Sequence, residues 1–120
     1  MVGPFTQKIV ELVLLLFLYA LCVALASALW LHPVTLAACY VLVSVLALLK
    51  WHTKADVVAY VVAAVLGPLG EAVVVHFGAW TYAKSSLFIP LWLPLVWGIV
   101  GFFLRRFTWT VTRITQPNGG

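Results

Sequence analysis

The one acidic side chain set deep in an apolar stretch of membrane length is Glu71, in the run Gly67-Pro68-Leu69-Gly70-Glu71-Ala72-Val73-Val74-Val75-His76. A charge at mid-membrane costs about 2.5 to 3.5 kcal/mol on insertion scales, so an ionisable group kept there is read first as functional. If a helical segment starts at Pro68, the first-turn position that proline prefers, Glu71 meets unpaired backbone amides and the positive end of the helix dipole. Those features favour the carboxylate, and desolvation favours the neutral acid. A carboxyl group balanced in this way is suited to give or take a proton. His76 is the nearest base, but five positions along an unbroken helix place it about 140° away. The two share a face only if the chain is rotated at Pro68.

Helical rise, about 1.5 Å per residue, puts Glu71 roughly 9 Å inside the outer end of its segment. Tyr40 and Cys39, and then Trp92, Pro94 and Trp97, fall at similar depth, with His32, His76, Trp80 and Tyr82 at or above the rim. The candidate site therefore comprises Glu71 and His76 as acid and base, with Tyr40, Trp80, Tyr82, Trp92 and Trp97 as binding residues. Gly67, Pro68, Gly70, Pro90 and Pro94 are the expected points of helix break. Each has a plainer role open to it: an interfacial histidine, an aromatic anchor, a carboxyl group hydrogen-bonded within the bundle. No nucleophile elbow, Gly-rich phosphate loop, Asp-rich motif or metal-ligand spacing occurs, so neither metal nor cofactor is expected. Cys22 and Cys39 fall within apolar spans and read as small buried residues.

The elements that position these groups follow from composition. With 65% hydrophobic and 8% charged residues in a chain of 120, and a mean hydropathy of +1.15, the sequence describes an all-α polytopic membrane protein. It forms one domain, residues 1–120, with four spans at about 9–31, 34–49, 55–77 and 87–104, each close to the 20 residues needed to cross the hydrocarbon. His32-Pro33 is a tight turn between the first two. The third and fourth helices are expected to kink at their prolines. Pro90, Pro94, Trp97 and Gly101 share one face of the fourth, which should look inward. Ala20, Ala24 and Ser27 or Ala28 form a small-residue packing stripe on the first. Residues 105–120 read as a short polar tail, within which Phe107 to Thr112 alternate apolar and threonine residues at strand period.

Lys8, Lys50, Lys54, Arg105, Arg106 and Arg113 fall on one side of a four-span arrangement, and Lys84 on the other. That asymmetry predicts cytoplasmic termini in the cell (plasma) membrane. The net charge of +4 is a topology signal and an attraction to anionic lipid, with no nucleic acid implied. Lys8 ahead of an apolar run, with Ala24-Leu25-Ala26 after it, is similar to a secretory signal. The run is too long for one and is read as a retained helix. Glu11, near the cytoplasmic start of the first helix, is expected to be structural.

The stretches Gly67-Pro68-Leu69-Gly70-Glu71, Gly78-Ala79-Trp80-Thr81-Tyr82 and Pro90-Leu91-Trp92-Leu93-Pro94-Leu95-Val96-Trp97-Gly98 together resemble a pattern in small uncharacterised multi-span membrane proteins. They are also similar to the bacterioruberin-type carotenoid hydratases, in which a membrane acid precedes a glycine-to-tyrosine stretch and a later proline and tryptophan helix. The resemblance covers about a third of the chain, which is much shorter than those hydratases and lacks several of their spans. It implies an intramembrane site for a lipid, isoprenoid or carotenoid, with Glu71 as the acid and Trp80 and Tyr82 in the pocket. Three readings follow. The first is an outer-leaflet-side site around Glu71 that binds or acts on a lipid or isoprenoid. The second is an accessory or structural subunit of a larger membrane complex. The third is a small homo-oligomeric proton-coupled transporter built around a broken helix.

Overall fold

Local signals fix the helix ends. Prolines open α1 (Pro4–Leu29) and α2 (Pro33–Lys50) at their first turns, where a missing N–H costs nothing. Helix α3 (Lys54–His76) starts at a reciprocal capping box, in which the Asp56 amide donates to Thr53 Oγ1 and the Thr53 amide donates to Asp56 Oδ2. Two residues past its last position stands Gly78, whose φ of +82° suits glycine at low cost. There the Gly78 amide bonds to the Val75 carbonyl and the Ala79 amide to that of Val74, the paired bonds of a Schellman motif. The computed structural model describes residues 3–79 and 90–115. These hold α1, α2, α3 and α4 (Leu93–Thr115), with no strand among the described residues.

Helices α1, α2 and α3 are long and apolar enough to cross a membrane, with mean hydropathies of 2.8, 2.0 and 2.1 over their best windows. Helix α4 is the hub. It packs most extensively along α3 and also meets α1 and α2, which in turn meet each other. The core joins Leu15, Leu18 and Cys22 of α1, Leu36, Tyr40, Val43 and Ala47 of α2, Trp51, and Ile99 and Phe102 of α4. Large apolar side chains elsewhere face outward, among them Phe17, Leu42, Val61, Leu66 and Leu69. Such a surface is unsuited to water and suited to lipid. The described bundle measures 50 × 25 × 22 Å, long enough to reach both headgroup regions of a bilayer about 40 to 45 Å thick.

Small residues bring α3 and α4 together. A Cβ on Gly67 would enter the indole of Trp97, one on Gly98 would meet the ring of Tyr60, and one on Gly101 would meet Ala63 and the Ala59 carbonyl. The face of Trp97 and Gly101 therefore looks inward, as their spacing predicts. The small-residue stripe of α1 does not: Ala20, Ala24, Ser27 and Ala28 are exposed, and α1 buries Leu15, Leu18 and Cys22 instead.

Three expectations need correction. First, α3 is one helix with Pro68 inside it, and no second segment starts there. A single proline removes one ladder bond, and the inward stripe through Gly67 and Pro68 packs on α4 across that point. Second, α4 starts at Leu93, so Pro90 precedes it and Pro94 stands in its first turn. Third, residues 105–115 continue the helix and form neither a polar tail nor a strand. Their helical neighbours explain this, since Phe103 stacks on Phe107 with ring centroids 5.3 Å apart, one turn along the same face.

Candidate functional site

Along α3 the buried Asp56 and the half-buried or buried Ala59, Tyr60, Ala63, Ala64, Gly67, Pro68, Glu71, Ala72 and Val75 form a continuous stripe at i, i+3, i+4 spacing, with the half-buried Val74 beside it. The contacts of that stripe rise in steps of one turn. Ala63 meets Gly101 and Gly67 meets Trp97. The next step along the same face is Glu71, which the antiparallel register brings level with Leu93 at the start of α4. Glu71 thus belongs, half-buried, to the inward stripe of α3, which runs on toward the start of α4.

The aromatic groups of the same level come from α2 and the turn before α4. Tyr40 is fully buried and its hydroxyl donates to the Cys22 carbonyl at 2.8 Å. Its ring is 6.3 Å from that of Trp92. Using α4 as the common ruler, Glu71 and Tyr40 both stand level with the Trp92 to Leu93 stretch. Trp97 is half-buried one turn deeper, seated on Gly67. His76 is not brought to this face: it is exposed, with its ring edge-on to Phe77 at 5.3 Å, as an unbroken α3 requires. Pro68 and Pro90 are buried, whereas Gly70 is exposed with open space around it. Trp80 and Tyr82 lie outside the described residues.

A second polar constellation, at the opposite end, joins all four helices. Asp56 is wholly buried and accepts from Arg106 Nε and Nη2, each at 3.0 Å, from Arg105 Nη1 and from the Thr53 amide. The third nitrogen of that guanidinium, Arg106 Nη1, donates to Glu11 Oε1 at 3.1 Å, which also accepts from the Trp51 indole at 3.0 Å. Glu11 Oε2 accepts from the Thr110 hydroxyl at 2.5 Å. Trp51 and Trp109 both have Arg106 within 6 Å of their ring centres, at 5.8 and 5.6 Å. Every oxygen of both carboxylates is engaged. The arrangement is therefore a clamp, and the structural part of Glu11 comes from these bonds and not from the helix dipole, since α1 starts at Pro4 and Glu11 lies beyond its first turn.

Asp56 was not distinguished in the sequence, where Arg105 and Arg106 read only as topology markers. A signal existed in the Thr53-x-x-Asp56 capping pattern, but nothing local tied it to arginines some fifty positions on. Among the described residues no group of histidine, cysteine and acidic side chains has metal-site geometry, and no buried side-chain polar atom lacks a hydrogen-bond partner.

Comparison with protein-family models, with curated proteins and with solved structures finds no match to this chain.

Proposed function

We propose that this chain is a four-span integral membrane protein of the plasma membrane, with a ligand site around Glu71 in the outer-leaflet half that takes a lipid or isoprenoid. The observation that carries this reading is the place of Glu71 on the inward stripe of α3, one turn beyond the Gly67–Trp97 contact and level with Tyr40 and Trp92. A carboxyl group there offers one polar anchor within an apolar, aromatic setting, the balance expected of a site for a hydrophobic molecule with a single polar end. Binding is favoured over chemistry because His76, the other half of an acid–base pair, faces away from that stripe.

The orientation rests on charge. Lys8, Lys50, Lys54, Arg105, Arg106 and Arg113 belong to the helix ends gathered around the Asp56 clamp, and basic residues are retained on the cytoplasmic side. Helix α4 is the fourth crossing, its 23 residues spanning about 35 Å. Its polar residues gather in its last eleven positions, at the basic end, where Arg106 and Thr110 are buried against the other helices and Thr108, Thr112 and Thr115 are exposed.

Lipid extraction and mass spectrometry of purified wild type and Glu71→Gln test the reading. A specific lipid or isoprenoid held by the wild type and lost from a folded variant supports it. A protein that carries only bulk lipid, or a stable assembly with other proteins indifferent to the substitution, points instead to an accessory subunit.

A further inference from the structure

Between α1 and α2 runs an open groove of about 200 Å³. Leu14, Phe17 and Leu21 form one wall and Val43 and Leu46 the other, and its end is closed by Lys50 and Trp51. Leu14 to Leu21 is seven residues of helix, about 10 Å of apolar trough. At Lys50 the trough passes directly into a second hollow of about 320 Å³, which shares Leu14 and Lys50 with it and adds Gln7 and Glu11. The apolar end thus points toward the middle of the bundle and the polar end toward the basic helix ends. That is the headgroup-to-tail axis of a lipid in the same leaflet.

We infer that this groove holds one anionic phospholipid, with an acyl chain between α1 and α2 and its phosphate on the Lys50 ammonium. Charge decides the headgroup. Lys50 is exposed, with its ammonium 5.4 Å from the centre of the Trp51 ring, and it is the cation shared by both hollows. The acid beside it, Glu11, is already bound to Arg106, Trp51 and Thr110. Gln7 adds a neutral amide at the same mouth, able to donate to a phosphate or glycerol oxygen. A basic mouth between membrane helices at the cytoplasmic level is the arrangement that selects anionic headgroups. This site is separate from Glu71, at the other end of the bundle, and does not depend on it.

Native mass spectrometry of the detergent-solubilised protein, titrated with phosphatidylglycerol and with phosphatidylcholine of identical chains, tests the inference. The wild type is expected to retain one phosphatidylglycerol at concentrations at least tenfold below those needed for phosphatidylcholine. Lys50→Gln abolishes that preference, while Lys54→Gln, a charge removed at the same end but outside the groove, leaves it intact. Glycerol phosphate at the same concentration does not compete, because the chain supplies the apolar half of the binding. Equal retention of the two lipids would overturn the inference. So would an equal loss of preference in Lys50→Gln and Lys54→Gln, or competition by glycerol phosphate. Glu71→Gln should leave this preference unchanged.

Discussion

Arg106 holds Asp56 through two parallel hydrogen bonds, Nε to Oδ1 and Nη2 to Oδ2, each 3.0 Å long. The residues stand fifty positions apart, on α4 and at the first turn of α3. The pair does more than join two helices, because the remaining guanidinium nitrogen reaches Glu11 of α1 and the indole of Trp51 lies against the same cation. One arginine therefore fixes the mutual positions of all four helices at one end, and it leaves the opposite end, where Glu71 sits, to be shaped by packing.

Removing one partner of a buried ion pair leaves the other charge uncompensated, at a cost of about 3 to 5 kcal/mol. Asp56→Ala should lower stability by that amount in a detergent unfolding titration, with loss of the α3 cap included. Arg105→Gln should cost less than about 1 kcal/mol, since the Arg105 side chain is 30% exposed and Asp56 keeps its bonds to Arg106. Similar losses in the two variants would show that the clamp is not organised around Arg106.

Two glycines of α3, three positions apart, should respond in opposite directions. Gly67→Ala places a methyl group in the Trp97 indole and should destabilise by about 1 to 3 kcal/mol through overpacking. Gly70 has open space around it, so Gly70→Ala should be neutral or stabilise by up to about 1 kcal/mol through helix propensity. Thermal unfolding of the two variants in one detergent separates them.

Tyr40→Phe keeps the ring and removes only the donor to the Cys22 carbonyl. A loss of about 1 kcal/mol is expected, the net worth of one hydrogen bond. A larger loss would mean that the hydroxyl has a further part in the bundle.

Orientation is open to direct measurement. His52→Cys, in the turn before α3, and Phe77→Cys, at its end, are both at exposed positions. In intact cells a membrane-impermeant thiol reagent should label Phe77→Cys and spare His52→Cys, with the unsubstituted protein, which carries Cys22 and Cys39, as the background. The reverse pattern would place the basic end outside.

Helical character, the first three spans and the turn between the first two were legible because each rests on a local cause, apolar length and the His32-Pro33 break, although α1 starts at Pro4, ahead of the expected residue 9. So was the inward face of α4, through the spacing of Trp97 and Gly101. The end of α4 was not, since Phe107 to Thr112 carry a period-2 pattern whose helical meaning appears only when Phe103 and Arg106 are seen one turn away. The Asp56 clamp was hidden for a different reason: its partners are remote in sequence, and pairing across such distances is written in topology. Around Glu71 the chemistry was legible and the geometry was not. An unbroken α3 keeps His76 off the stripe that Glu71 shares with Gly67.

The most direct test of the Glu71 site compares wild type, Glu71→Gln and His76→Ala, each gently purified, by native mass spectrometry with identification of the released lipid. The account predicts one lipid or isoprenoid species on the wild type and on His76→Ala, and its loss from a folded Glu71→Gln. The same species retained by Glu71→Gln, or none beyond bulk lipid on the wild type, would contradict it.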